Sequence, residues 1–188
     1  MRWPKLSRYL TNASVTLASV LLCLLLLPAR LPGMELLGVA PNWLLIWVVA
    51  WSVKRNLWQA ALAGWTLGLL QDGMSEQIPS RALSLLVVGV LTALLKKQKY
   101  VQEDFISVAL IVFAMSAIAE TVVALQFSWY SWRGIAPFTF ERLSEVWAYY
   151  QDVTLASALL SSMWAPALYY PLNYWWRQMY LLEMNSAS

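Results

Sequence analysis

A chain of 188 residues that is 60% hydrophobic and 12% charged, with 12 tryptophans and a formal net charge of +3, carries more apolar surface than a water-soluble fold of this length can hide. Histidine is absent and Cys23 is the single cysteine, which excludes disulfide frameworks, zinc sites and histidine-based catalytic triads. Basic residues lie between apolar runs rather than in a patch with interleaved aromatics, so nucleic acid is not an expected partner.

Six apolar segments succeed one another near residues 10–27, 36–53, 57–71, 82–95, 105–127 and 153–170, where about 20 helical residues cover a hydrocarbon core of about 30 Å. The expected fold class is all-α: a polytopic membrane protein whose residues 1–188 form a single domain of six transmembrane helices. The first segment reads as an uncleaved span, because Leu22 before Cys23 is too bulky for a lipoprotein cleavage site and no A-x-A-like site follows. On the second, Trp43, Trp47 and Trp51 recur at i, i+4 and i+8. Trp47 is too close to mid-span for an interfacial belt, so it is expected to pack against protein, either another helix of this chain or a partner. Pro41 and Asp72 leave the second and third segments short, which makes a re-entrant hairpin the rival to two separate spans. That hairpin would bury Lys54 and Arg55, each at about 2.5–3.5 kcal/mol at the bilayer centre, so two short spans are expected.

In the third segment Ala60, Gly64, Gly68 and Asp72 recur every four residues, a stripe of minimal side-chain height that ends in a carboxylate. Such a stripe lets a neighbouring backbone come close, the available driving force for association between helices in lipid. Asp72 is placed either to cap the following loop or to meet Arg81, the alternative being a solvated helix end. Ser80, after Pro79, is positioned as the N-cap of the fourth helix. Glu120 lies within the otherwise apolar fifth span, beside the small or polar Ser116, Ala117, Thr121 and Ala124; an acid there is either functional or a hydrogen-bonded structural link. The stretch 128–152, with Trp129, Tyr130, Trp132, Phe138, Phe140, Trp147, Tyr149 and Tyr150, suits the outer headgroup region, and "FERLSEVW" within it is expected to form a short surface helix exposing Glu141 and Glu145. The sixth segment carries Ala158, Ser161, Ser162 and Ala165, another small face, before a kink at Pro166.

Orientation follows from alternate loops. Arg2, Lys5, Arg8, Lys54, Arg55, Lys96, Lys97, Lys99 and Arg177 fall on one side, nine of the 13 basic residues, leaving Arg30, Arg81, Arg133 and Arg142 opposite. The positive-inside rule then puts both termini in the cytoplasm. Glu35, Asp72, Glu76, Glu141, Glu145 and Asp152 fall outside, in keeping with that arrangement. Catalysis is not expected: no nucleophile stands beside a base, no paired carboxylates share a helix face inside the membrane, and no loop cradles a phosphate. Nothing calls for a cofactor or a metal.

Over residues 40–95, "APNWLLIWVVAWSVKRNLWQAALAGWTLGLLQDGMSEQIPSRALSLLVVGVLTALL", the chain resembles the MreD family of bacterial rod-shape-determining membrane proteins. The resemblance is carried by Pro41 with Trp43, the basic turn at Lys54 and Arg55, the glycine-rich third helix ending "GLLQD", and Ala82-Leu83 opening the fourth; Pro79-Ser80 departs from the Leu-Gly pair expected before that helix. The tryptophan and glutamine content suggests a cyanobacterial member. The resemblance implies a non-enzymatic inner-membrane component of the elongation machinery that supports peptidoglycan synthesis with the bitopic MreC, the actin-like MreB, RodA and its partner transpeptidase. It also implies a fold like the substrate-binding S-component of energy-coupling-factor transporters. On this view Ala60, Gly64 and Gly68 and the face of Trp43, Trp47 and Trp51 dock partner transmembrane helices. The runner-up function is such an S-component itself, with Glu120 and the aromatic loop lining a vitamin pocket; a lipid or polyprenyl carrier is a third.

Overall fold

The computed structural model describes residues 5–29, 38–75, 79–96, 105–133 and 143–184. These form six helices and, among the described residues, no strand: α1 (Lys5–Leu26), α2 (Trp43–Ser52), α3 (Leu57–Ser75), α4 (Arg81–Lys96), α5 (Phe105–Trp132) and α6 (Leu143–Met184). The all-α class is the one expected. The sequence readings on Arg2, Arg30, Glu35, Glu76, Lys97, Lys99, Phe138, Phe140, Glu141 and Arg142 lie outside the described residues.

The second segment departs most from expectation. Within the segment expected over 36–53 the helix itself is short: α2 has 10 residues, about 15 Å at 1.5 Å per residue, half the hydrocarbon thickness. Local chemistry sets its start. Asn42 is the N-cap, its Oδ1 accepting the Leu45 N–H at 3.1 Å while its own N–H donates to Ser161 Oγ at 3.0 Å. Gly38, at φ +77°, turns the chain ahead of it, a conformation that other residues seldom adopt. Every residue of α2 except Trp51 is buried, and the helix packs against each of the other five. A helix apolar around its whole circumference belongs at the centre of a core.

The ends of the last two helices differ as well. α5 continues to Trp132, so Trp129, Tyr130 and Trp132 sit on a helix end, and α6 begins at Leu143 and runs 42 residues. Glu145 and the residues up to Asp152 are therefore its first turns, not a separate surface helix. No glycine or proline interrupts residues 143–165, and Pro166 and Pro171 lie within the helix. Among the described residues one helix, Phe105–Tyr130, is by length and composition apolar enough to cross a membrane; Leu10–Leu26, Trp43–Ser52 and Arg81–Leu95 are shorter apolar helices. The outward faces are nonetheless greasy. Leu25, Trp58, Ile106 and Met163 are 72–78% exposed, and apolar surface on this scale marks contact with lipid or protein.

The most extensive helix pairs are α3 with α4 and α5 with α6. The first is a backbone contact. A Cβ on Gly64 would overlap the carbonyl of Leu85, one on Gly68 would overlap Ala82 Cα, and one on Gly89 would overlap the carbonyl of Ala60. The stripe of Ala60, Gly64 and Gly68 thus has its close neighbour in α4 of the same chain, in antiparallel register. Gly73, by contrast, has open space around its Cα. Replacing Gly64 or Gly68 by Ala is expected to force the helices apart and lower stability by about 1–3 kcal/mol. Gly73→Ala should be neutral or stabilising by up to about 1 kcal/mol; unfolding of the three variants in detergent micelles compares them directly.

Candidate functional site

The same register that joins α3 to α4 carries the end of α3 to the start of α4. There the Asp72 carboxylate takes over the orphan amides of α4: Oδ1 accepts the Arg81 N–H at 2.7 Å, and Oδ2 accepts the Ser80 hydroxyl at 2.6 Å and the Ala82 N–H at 3.3 Å. Ser80 Oγ also accepts from Ala82 N–H, at 3.2 Å. Both residues cap α4, and the negative charge complements the positive end of its dipole. Asp72 therefore meets Arg81 through its backbone, and the guanidinium is free to turn elsewhere.

It turns to α5. Arg81 Nη1 donates to Glu120 Oε1 at 3.3 Å, an ion pair in which the glutamate side chain is 2% and the arginine 22% exposed. The acid singled out in the fifth segment thus has a partner supplied by the first residue of α4. Glu120 Oε2 is buried with no hydrogen-bond partner among the described residues, and so is Gln71 Oε1. Both residues line a cavity of about 320 Å3 at the end of the bundle away from the Lys54–Arg55 turn, where Asn42, Ser75, Arg81 and Ser157 supply further polar groups and Leu27, Val39, Met74 and Val153 apolar ones. Every helix, or the chain next to it, contributes to its wall. Ser157 lies 3.4 Å from Ser116 across the α5–α6 contact, which brings the small polar face of α5 toward the site.

The tryptophans of α2 are used inside the chain. Trp43 tilts against Trp164 of α6 at 5.7 Å between ring centroids, Trp47 Nε1 donates to Ser19 Oγ of α1 at 2.9 Å, and Trp51 stacks on Trp47 and meets Trp176 edge-on. Arg55 lies over the Trp51 ring at 4.2 Å, and Lys54 Nζ donates to Asn173 Oδ1 of α6. Such aromatic contacts add about 0.5–1.5 kcal/mol each beyond burial. Of the residues expected to dock a second protein, Trp43, Trp47, Trp51, Ala60, Gly64, Gly68 and Asp72, each has a neighbour within this chain, in α1, α4 or α6. Of the expected residues, Asp72 and Glu120 meet at one place, linked by Arg81.

Four contributors escaped the sequence reading. Gly89 is an isolated glycine in "VVGVL", legible only once its partner Ala60 is known. Gln71, inside "LLQD", offered a signal, a polar amide one residue before the cap at the end of an apolar helix. Asn42 and Ser157 offered none, being ordinary polar residues near segment ends.

Removing one member of a buried ion pair strands the other. Arg81→Leu is expected to cost about 3–5 kcal/mol of folding stability, at the lower end because the arginine is partly solvated. The double variant Arg81→Leu/Glu120→Leu should recover most of that loss, and chemical unfolding of the double-mutant cycle reads the coupling. Asp72→Ala, which uncaps α4, should cost about 1–2 kcal/mol in the same measurement.

A family model described as rod shape-determining protein MreD matches residues 7–172. No curated protein and no solved structure matches the chain. The match takes in all of α2 to α5, most of α1 and α6, and every residue of the capped, ion-paired cavity wall. With a family of membrane proteins matched over most of its length, the chain belongs to the MreD family of rod shape-determining proteins.

Proposed function

We propose that this protein is a non-catalytic, multi-pass component of the bacterial inner membrane that supports peptidoglycan synthesis in rod-shape determination by binding other members of the elongation machinery, in the first place a bitopic protein of the MreC kind. The observation that carries the reading is the family match over residues 7–172. Six crossings, cytoplasmic termini and an S-component-like arrangement belong to the same proposal. They are supported by the six-helix, strand-free architecture of the described residues, by the apolar outward faces, and by the basic turn at Lys54 and Arg55 opposite the cavity end.

Partner helices, on this proposal, meet the outward faces. α3 is two-sided: Ala60, Gly64 and Gly68 face α4, while Trp58, Leu62, Trp65 and Leu69 stand exposed on the other side. Bulky replacements at Gly64 or Gly68 should consequently stop the protein from accumulating in folded form. Replacing Trp58 and Leu62 together by Ala should leave it folded.

Depletion of the protein in its host is expected to turn rods into rounded cells before lysis, with a plasmid copy restoring the rod; rods that keep their shape under full depletion would refute the reading. For topology, Cys23 is buried and leaves a quiet background for labelling with membrane-impermeant maleimide. Asn56→Cys, in the basic turn, should label only from the cytoplasmic side and Gly73→Cys, at the cavity end, only from outside. The opposite pattern would invert the topology.

A further inference from the structure

The wall of the cavity has an unusual balance of unmet hydrogen-bonding capacity. Glu120 Oε2 and Gln71 Oε1 are acceptors without donors, in residues only 2% and 8% exposed. The same wall carries donor groups: the partly exposed Arg81 guanidinium, which bonds Glu120 through Nη1, and the side-chain amides of Asn42 and Gln71. Leaving buried polar groups unpaired costs free energy, about 1–3 kcal/mol each, so a built site of this kind calls for a complement.

Charge decides which complement. Arg81 and Glu120 neutralise each other, so a lone phosphate would meet the carboxylate and a lone ammonium would meet the guanidinium. A hydroxyl, by contrast, donates and accepts at the same atom. Several hydroxyls on a small frame satisfy the orphan oxygens and can also accept from the N–H groups of the wall, with no net charge to desolvate. The volume, about 320 Å3, equals roughly ten waters at about 30 Å3 each, room for one sugar ring or a glycerol unit with some water. Leu27 and Val153 on the wall offer apolar contact to the carbon frame or to the start of an acyl chain.

We propose that this cavity binds a neutral polyhydroxyl group, a sugar or glycerol unit, whose hydroxyls donate to Glu120 and Gln71 and accept from Arg81 and Asn42. The proposal rests on the geometry of this cavity and not on the shape-determination reading. The group has two sources, the headgroup of a membrane glycolipid or a free sugar.

The test uses the full chain in phosphatidylcholine nanodiscs doped with monogalactosyl diacylglycerol, followed by native mass spectrometry. One glycolipid is expected to stay with each protein molecule. Retention should fall about tenfold in Gln71→Leu, the loss of one hydrogen bond to the ligand, and in Glu120→Gln, which keeps an acceptor for Arg81 but replaces the free oxygen with a donor. Circular dichroism checks that each variant is folded, and either one suffices if the other is not. Competition by methyl β-galactoside would make the free sugar a sufficient ligand; retention without competition would assign the site to the lipid. Two results would overturn the proposal: no glycolipid retained above phosphatidylcholine with no thermal shift from galactoside or glycerol, which would make the cavity a water-filled one, or retention untouched by whichever variants fold.

Discussion

Two backbones in contact organise the rest of this molecule. α3 and α4 approach until peptide groups touch, because Gly64, Gly68 and Gly89 present no side chain at the crossing. That approach fixes the register of the pair, and register decides which residue of α3 arrives at the first turn of α4. It is Asp72, whose carboxylate accepts from the amides of Arg81 and Ala82. With its backbone held there, Arg81 directs its guanidinium across to Glu120 on α5. A van der Waals contact of glycines against the facing backbone thereby positions an ion pair to a third helix.

The polar end of the bundle is consistent with that order of cause. Charged groups in an apolar surround require partners or solvent, and their cost falls when the partner is already held in place. Glu120 is nearly fully buried while Arg81 keeps a fifth of its side chain exposed, so the pair spans from the packed interior to the cavity. Asp72 and Ser80 together cap the helix that carries the arginine. The polar residues of this end form one connected arrangement around a cavity that touches every helix or its adjoining chain.

The second organising element is α2, which runs from the cavity wall at Asn42 toward the basic turn. Ten residues long and buried almost all round, it acts as a central pin around which the longer helices pack. Its tryptophans reach outward to α1 and α6, and the basic turn that follows is held by Arg55 over Trp51 and by Lys54 against Asn173. Ordinarily a membrane bundle gains little from burying apolar side chains against one another rather than lipid. Close-fitting rings and the hydrogen bond from Trp47 to Ser19 supply the specific contacts that lipid cannot.

Composition and periodicity alone were enough to determine an all-helical chain with six segments, the boundaries of α3 and α4 to within a few residues, the close approach along Ala60, Gly64 and Gly68, and the cap at Ser80; for Asp72 they left capping, contact with Arg81 and a solvated helix end open. These properties are local: helix period, side-chain height and capping chemistry are written within a few residues of where they act. The identity of each partner was not. Whether the glycine stripe and the tryptophan face met helices of this chain, where the Arg81 side chain went once Asp72 had taken its amide, and that α2 starts only after Asn42 and becomes a buried core helix were all decided in the folded state. Those outcomes depend on contacts between residues up to 119 positions apart, such as Asn42 with Ser161. A linear pattern shows which surfaces want a neighbour, but packing in three dimensions chooses it.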